Sequence, residues 1–334
     1  MSQESPVSIL ALPRSLSDRA RRFASARHWS GKTLADMGRA AAFLAPNFLG
    51  FALFTFIPVV AIFVVAFTTG DYTSSVDPVT GKVSIDASFV GFQHFKTMWS
   101  DPRFWSSLWN TFVFLAAIPL QMGIALGLAL LLNQKLPGRT LWRTLLFLPT
   151  IAAGLALYMI WRQIYNQEFG LLNQVLATIG LIDAGAGPDW LGDKAWAKPA
   201  ILAMLVWIGM GGTNMVLYLA ALQDVDPTLY EAADIDGAGT LDKFRYITLP
   251  ALRPTTFFIL TTNLIGGIQI FDQVLIMTEG GPEGSTSTIL YYLYQNIYEF
   301  NRLGYAAALS VALFGIVLAM TLINWRLNKS AREA

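Results

Sequence analysis

The side chains best suited to chemistry in this sequence are neutral hydrogen-bonding groups. Thr262, Gly266, Gln269 and Gln273 recur at helical spacing within an otherwise apolar stretch, so a helix turning about 100° per residue sets them on one face. Trp207, Gly211, Asn214 and Tyr218 repeat the pattern, and so do Gly154, Tyr158, Trp161 and Tyr165. Amides both donate and accept hydrogen bonds, and flat aromatic faces pack against C–H surfaces. Together they suit a neutral polyhydroxylated ligand. The same residues also suit helix–helix contact, where Gly, Asn and Gln join neighbouring helices. Trp161 and Tyr165 could also belong to an interfacial aromatic belt. Asp272 lies off this face and reads as a cap or a salt-bridge partner.

Catalytic groups are scarce. The chain has no Cys, which excludes thiolate and disulfide chemistry. Its two histidines, His28 and His94, are far apart, so a histidine metal site is not expected. No nucleophile has a base placed beside it. DGAGT at 236–240 lacks the GxxxxGK[ST] pattern and follows no strand, so it is no phosphate cradle. No catalytic residue, metal or cofactor is assigned to the chain, and any energy for uphill movement must come from elsewhere.

The elements that would position these groups are membrane helices. Of 334 residues 54% are hydrophobic and only 13% charged, against about 25% charged in a soluble domain. Uncharged stretches run over 40–70, 104–134, 144–161, 199–223, 254–271 and 303–325, each reaching the roughly 18 residues that mark a spanning candidate. The expectation is an all-α integral membrane protein with spans near 40–68, 106–133, 142–165, 198–222, 255–277 and 303–326. These lie in a domain over 40–328 that follows a basic extension, 1–39. No signal peptide is read before residue 40, so the first span is expected to be retained. The extension reads as a solvated positive segment, with a helix on anionic lipid as the alternative.

Lys and Arg set orientation. Sixteen of the 23 fall in 1–39, the second and fourth connections and the tail, including Arg22, Arg143, Arg245 and Arg326; seven fall on the other side. Both termini and the 224–253 connection are therefore expected in the cytoplasm.

That connection holds EAADIDGAGTLDKFRYITLPALRP over 231–254. Asp226-Pro227 should start a short helix over 227–235, and Asp236-Gly237 should end it. Thr240 should cap a second helix over 241–247, which Pro250 should stop. The expected product is a stiff helix–turn–helix whose small Ala232 and Ala233 admit close approach by another protein. An ordinary amphipathic connection would carry the same periodicity.

Glu231-Ala232-Ala233, then Gly237, then Ile247-x-Leu249-Pro250 resemble the EAA loop of ABC importer permeases. TEGGPEGST from Thr278 and YLYQNIYEFNRLGYAAALS after it resemble the carbohydrate-uptake (maltose and glycerol-phosphate permease-like) branch. The resemblance covers roughly 40–330 and implies the six-transmembrane-helix permease fold, in a bacterial cell membrane. It implies that the loop over 224–253 docks on a cytoplasmic ATPase through Glu231, Ala232, Ala233, Asp236, Gly237, Leu249 and Pro250. The implied partners are a second homologous permease (a heterodimer, with a homodimer as the alternative), two ATP-binding subunits that bind ATP and Mg, and an extracytoplasmic solute-binding protein. The expected cargo is a sugar or sugar derivative, met by Trp161, Trp207, Asn214, Tyr218, Gln269 and Gln273. Glycerol phosphate or a polyol is the alternative cargo. No basic residue lies inside the uncharged stretches, which speaks against a phosphate ester. A secondary transporter, the alternative of another class, would want intramembrane carboxylates or a histidine relay.

Overall fold

Apolar stretches of this length leave the backbone one choice in lipid, because every N–H and C=O must be paired within the segment. The computed structural model is accordingly helical in its regular structure among the described residues, apart from a hairpin pairing Ser75 with Ser84 and Val76 with Val83 and a lone bridge between Thr68 and Phe89. It describes residues 31–69, 75–76, 83–84, 88–152, 154–183 and 185–333, with the backbone alone at 31–35, 75–76, 83–84 and 327–333. The expected extension over 1–39 lies outside these as far as residue 30, as does most of 70–87.

The chain divides into two compact units at Ala61. The first holds α1, Gly31–Phe51, with Pro46 inside it, and a π-helical turn, Ala52–Phe56. The turn continues into α2, Ile57–Val65, which crosses the division.

In the second unit α3 (Gln93–Ser100) leads to α4 (Pro102–Leu115) and α5 (Ala117–Asn133). Then come α6 (Arg139–Ile151), α7 (Gly154–Ile164), α8 (Leu171–Thr178), α9 (Lys194–Met210) and α10 (Gly212–Gln223). The polar island forms α11 (Pro227–Ile235), α12 (Thr240–Lys243), a π-helical turn over Phe244–Thr248, and α13 (Leu249–Ala251). The chain closes with α14 (Arg253–Ile268), α15 (Asp272–Met277), α16 (Ile289–Tyr298) and α17 (Leu303–Glu333).

Among the described residues four helical stretches are long and apolar enough to cross a membrane: Asp36–Val65, Pro102–Asn133, Lys194–Gln223 and Leu303–Arg326. The pair α6 and α7 makes a fifth if it counts as one bent span. The stretch expected at 255–277 is divided: α14 ends at Ile268, and α15 starts again at Asp272.

Lipid tails are as apolar as leucine, so these helices associate through fit rather than exclusion from water. Ile118, Met122, Ala125, Ala129 and Leu132 form one face of α5 and pack on Met215, Tyr218, Leu219 and Leu222 of α10. Ala125 and Ala129 are fully buried at that seam; their methyl groups let the backbones close up. Leu252, Ile259 and Ile268 join this cluster from α13's end and α14. A second cluster sets Phe114, Ile201, Met204 and Leu205 against Ile270, Val274 and Met277.

Candidate functional site: a cavity between broken helices and a capped polar island

Asp226 Oδ1 accepts the Thr228 N–H at 2.9 Å, and Pro227 occupies the first turn of α11. The N–H and hydroxyl of Thr228, in that order, hold the Asp226 carboxyl below the usual carboxylate range. At the far end Gly237 has φ +74°, and the Ala238 N–H returns to the Ala233 carbonyl at 2.9 Å. The left-handed residue and its return bond close the helix.

The second arm differs from the sequence reading. Its cap is Gly239, whose N–H donates to Asp242 Oδ2 at 3.3 Å, and not Thr240. Nor does Pro250 stop it: the helical path runs from Thr240 through Ala251. A π-helical turn precedes Pro250, and the Leu249 N–H bonds to the Phe244 carbonyl five residues back. The widened turn admits the proline ring, which an α-helical interior would reject. The two arms are joined by the Tyr230 hydroxyl on Thr248 Oγ1 at 2.8 Å and by the Lys243–Asp234 ion pair.

Glu231, Ala232, Asp236, Gly237 and Leu249 are exposed, while Ala233 and Pro250 are partly covered. The Glu231 side chain, inside α11, has no hydrogen bond or ion pair among the described residues. Beside them stand apolar side chains the motif did not single out: Ile235, Leu241 and Tyr246, exposed by 88%, 75% and 69%. An apolar side chain inside so polar a segment was the available signal.

In the membrane region a cavity of about 380 Å³ opens between α6, α7, α9, α10 and α14. Breaks in two helical paths shape it. Gly211, at φ −93°, ψ −139°, separates α9 from α10; a Cβ there would stand 2.3 Å from the Leu146 carbonyl oxygen. Gly212 has φ +51°, and its Cβ would meet Thr150 Oγ1 at 1.8 Å. Glycine is required at both positions by close approach, and at Gly212 by conformation as well. Gln121 spans the neighbouring seam, donating to the Leu205 carbonyl at 2.9 Å.

The lining mixes apolar side chains such as Leu157 and Ile208 with polar ones, and none of it is charged. Asn214 donates to the Gly209 carbonyl at 3.0 Å and accepts from Asn263 Nδ2 at 3.1 Å. Thr150, Thr213 and Tyr158 share the wall. Gln273 Nε2 donates to the Tyr158 hydroxyl at 2.9 Å. Trp161 and Trp207 are paired edge to face, with ring centroids 5.3 Å apart.

Of the residues expected to meet cargo, Asn214 lines this cavity and Gln273 reaches its wall through Tyr158. Tyr218 is buried in the α5–α10 core instead. Gln269 is exposed at the break between α14 and α15. The single polar face expected from Thr262 to Gln273 is therefore interrupted. Thr288 Oγ1 donates to the Ile270 carbonyl at 2.7 Å, taking an acceptor that a continuing helix would use itself. Sequence reasoning missed Asn263 and Thr150; their partners lie too far along the chain for any periodicity to mark them.

Residues 41–333 match the family model described as "Binding-protein-dependent transport system inner membrane component". The chain is 37% identical over 250 residues to the lactose transport system permease protein LacF of Rhizobium radiobacter, spanning 73% of this chain and 82% of that one. It is 33% identical to the arabinooligosaccharides transport system permease protein AraP of Bacillus subtilis, over 86% and 88% of the two chains. Its fold is similar to a chain of a bacterial alginate ABC transporter solved with a pentasaccharide-bound periplasmic protein. The TM-score is 0.74 at 23% identity, covering 89% of this chain and 96% of that one.

Proposed function

Since this chain belongs to the family of binding-protein-dependent transport system inner membrane components, the non-enzymatic permease subunits of ABC importers, we propose that it carries a neutral sugar or oligosaccharide. The observation that supports this most is the cavity over Asn214, Asn263, Thr150 and Tyr158, which has amides and hydroxyls but no charged side chain. Hydroxyl-rich cargo exchanges bonds with water for bonds with such groups at little net cost, whereas an anion would lose its hydration without a compensating cation. The relatives named for lactose and arabinooligosaccharides accord with this class. Trp161 and Trp207, an edge-to-face pair outside the cavity lining, would meet cargo only farther along its path, and Gln273 positions Tyr158.

The polar island is the coupling element to an ATP-hydrolysing subunit in the cytoplasm, and both chain termini lie on that side. The exposed row Ile235, Leu241, Tyr246 and Leu249 supplies apolar contact, and Glu231 the polar one. One such island engages one ATPase, so a second permease with its own island completes the machine. An extracytoplasmic binding protein delivers the cargo.

The decisive experiment is ATP-dependent uptake of labelled oligosaccharides into vesicles holding the chain with its partners. Uptake lost in Asn214→Leu, with ATP hydrolysis still stimulated, supports the cavity as the path. Uptake that persists without ATP would instead assign a secondary transporter.

A further inference from the structure

A second cavity, of about 610 Å³, lies apart from the transport path where α3, the start of α4, the first turn of α16, the connection after α16 and the start of α17 meet. The candidate spans Pro102–Asn133 and Leu303–Arg326 both begin at it, which puts it at headgroup level on one face of the bilayer. Its ionisable lining is His94, Asp101, Arg103, Tyr292, Arg302 and Tyr305. The single carboxylate is already engaged. Asp101 Oδ2 accepts the hydroxyls of Tyr292 and Tyr305, each at 2.6 Å, and Oδ1 accepts the Arg103 N–H at 2.9 Å. Neither guanidinium belongs to an ion pair among the described residues; Arg302 lies over the Phe300 ring, 6.0 Å from its centre. The lining thus has two fixed cations against one anion whose oxygens are occupied, a balance that calls for an anion.

The surroundings say where that anion comes from. Trp99 and Trp105, which adjoin the lining residues Ser100, Asp101 and Arg103 on α3 and α4, and Phe92 just before α3, are exposed by 70%, 41% and 66%. Trp105 Nε1 donates to the Trp99 carbonyl at 2.8 Å, and their rings meet edge to face. Exposed tryptophans beside arginines at the ends of spans are the signature of an interface with lipid headgroups. Guanidinium pairs bind phosphate oxygens bidentately. We propose that this cavity holds the phosphodiester headgroup of an anionic phospholipid, with Arg103 and Arg302 as its cations and the Trp99–Trp105 pair against its glycerol and acyl portion. A zwitterionic headgroup fits less well, because Asp101 has little capacity left for its ammonium. The site does not depend on the cargo or on the direction of transport.

The test uses the full chain with its partner subunits, stripped of loosely held lipid and placed in bilayers of phosphatidylcholine with or without phosphatidylglycerol. Native mass spectrometry then counts the lipid retained. Wild type is expected to retain phosphatidylglycerol over phosphatidylcholine, with retention falling about tenfold or more in Arg103→Gln/Arg302→Gln. Lys135→Gln, on the opposite face, should retain as wild type does, and millimolar inorganic phosphate should displace nothing. Equal retention by wild type and the double variant overturns the proposal. Displacement by inorganic phosphate assigns the cavity to a soluble anion instead. A double variant that keeps its lipid but loses stimulation by the binding protein assigns it to a protein carboxylate. If the double variant does not assemble, the thermal transition of wild type decides: phosphatidylglycerol should raise it and phosphatidylcholine should not, and equal transitions overturn the proposal.

Discussion

Asn263 and Asn214 are 49 residues apart, yet the Nδ2 of one sits 3.1 Å from the Oδ1 of the other and joins α14 to α10 across the cavity wall. Asn214 spends its own amide on the Gly209 carbonyl, so the pair also ties the glycine-rich break between α9 and α10 to the helix that follows the polar island.

Asn263→Leu should therefore act on transport more than on folding. It removes one donor and leaves Asn214 Oδ1 without its partner, at a cost of about 1–3 kcal/mol. Uptake in vesicles should fall about tenfold while the assembled complex is recovered in normal yield. Unchanged uptake would remove the cavity from the path.

At Gly237 the backbone conformation decides the outcome. The residue has φ +74° and nothing within 4 Å of an added Cβ, so conformation rather than crowding sets the response. Gly237→Asn should preserve co-purification of the ATPase, because asparagine tolerates the left-handed region. Gly237→Val should reduce it, with about 1–2 kcal/mol of strain placed on the helix terminus. Equal recovery in both would separate this turn from docking.

Ile235→Asp probes the exposed row on the same island. An 88% exposed isoleucine contributes little to the fold of its own chain, so the variant should keep wild-type thermal stability and lose most of the bound ATPase. A variant equal to wild type in both would assign that surface to solvent.

Gly211→Ala should be costly for a different reason. The new methyl would lie 2.3 Å from the Leu146 carbonyl oxygen, a backbone atom that moves only with α6. Overpacking of this kind costs about 1–3 kcal/mol. A lowered melting temperature in detergent, together with lost uptake, is the expected pair of results.

The Asp101 cluster makes stability depend on pH. Burial pushes this carboxyl up, but the hydroxyls of Tyr292 and Tyr305 and the N–H groups of Arg103 and Phe104 outweigh it, and the net displacement is downward from 3.8. A carboxyl lower in the folded than in the unfolded chain favours folding above the unfolded value and loses that contribution as pH falls through the folded one. The stability difference between wild type and Asp101→Asn should accordingly be full at neutral pH and shrink on acidification below about pH 4. Denaturant titrations across that range would show it, and a difference constant with pH would contradict it.

Much of the architecture was legible because its causes are local. Asp226-Pro227 and Gly237 mark helix ends by their own backbone chemistry, and α11 runs over the expected residues, Pro227–Ile235. Pro250 misled because the π-helical turn that accommodates it has no simple residue code. The break after Ile268 was invisible for another reason: the Ile270 carbonyl is claimed by Thr288, 18 residues away. The same holds for Asn263 with Asn214 and for Gln273 with Tyr158, whose meeting depends on how whole helices cross. Stripes of polar residues marked faces able to line a cavity, while tertiary contacts chose which members do so.

The break between α14 and α15 divides one apolar stretch into two arms with different attachments. The arm α14 follows directly from the polar island, whereas α15 is fastened through Gln273 to Tyr158 and abuts the Ile270 carbonyl fixed by Thr288. A continuous rod would transmit any tilt from one side of the bilayer to the other. The interruption at Gln269–Phe271 gives the two arms separate anchors: α14 is held to Asn214 and Asn324 through Asn263 and Thr261, and α15 to Tyr158, so a tilt imposed at the island end meets a break before it reaches α15.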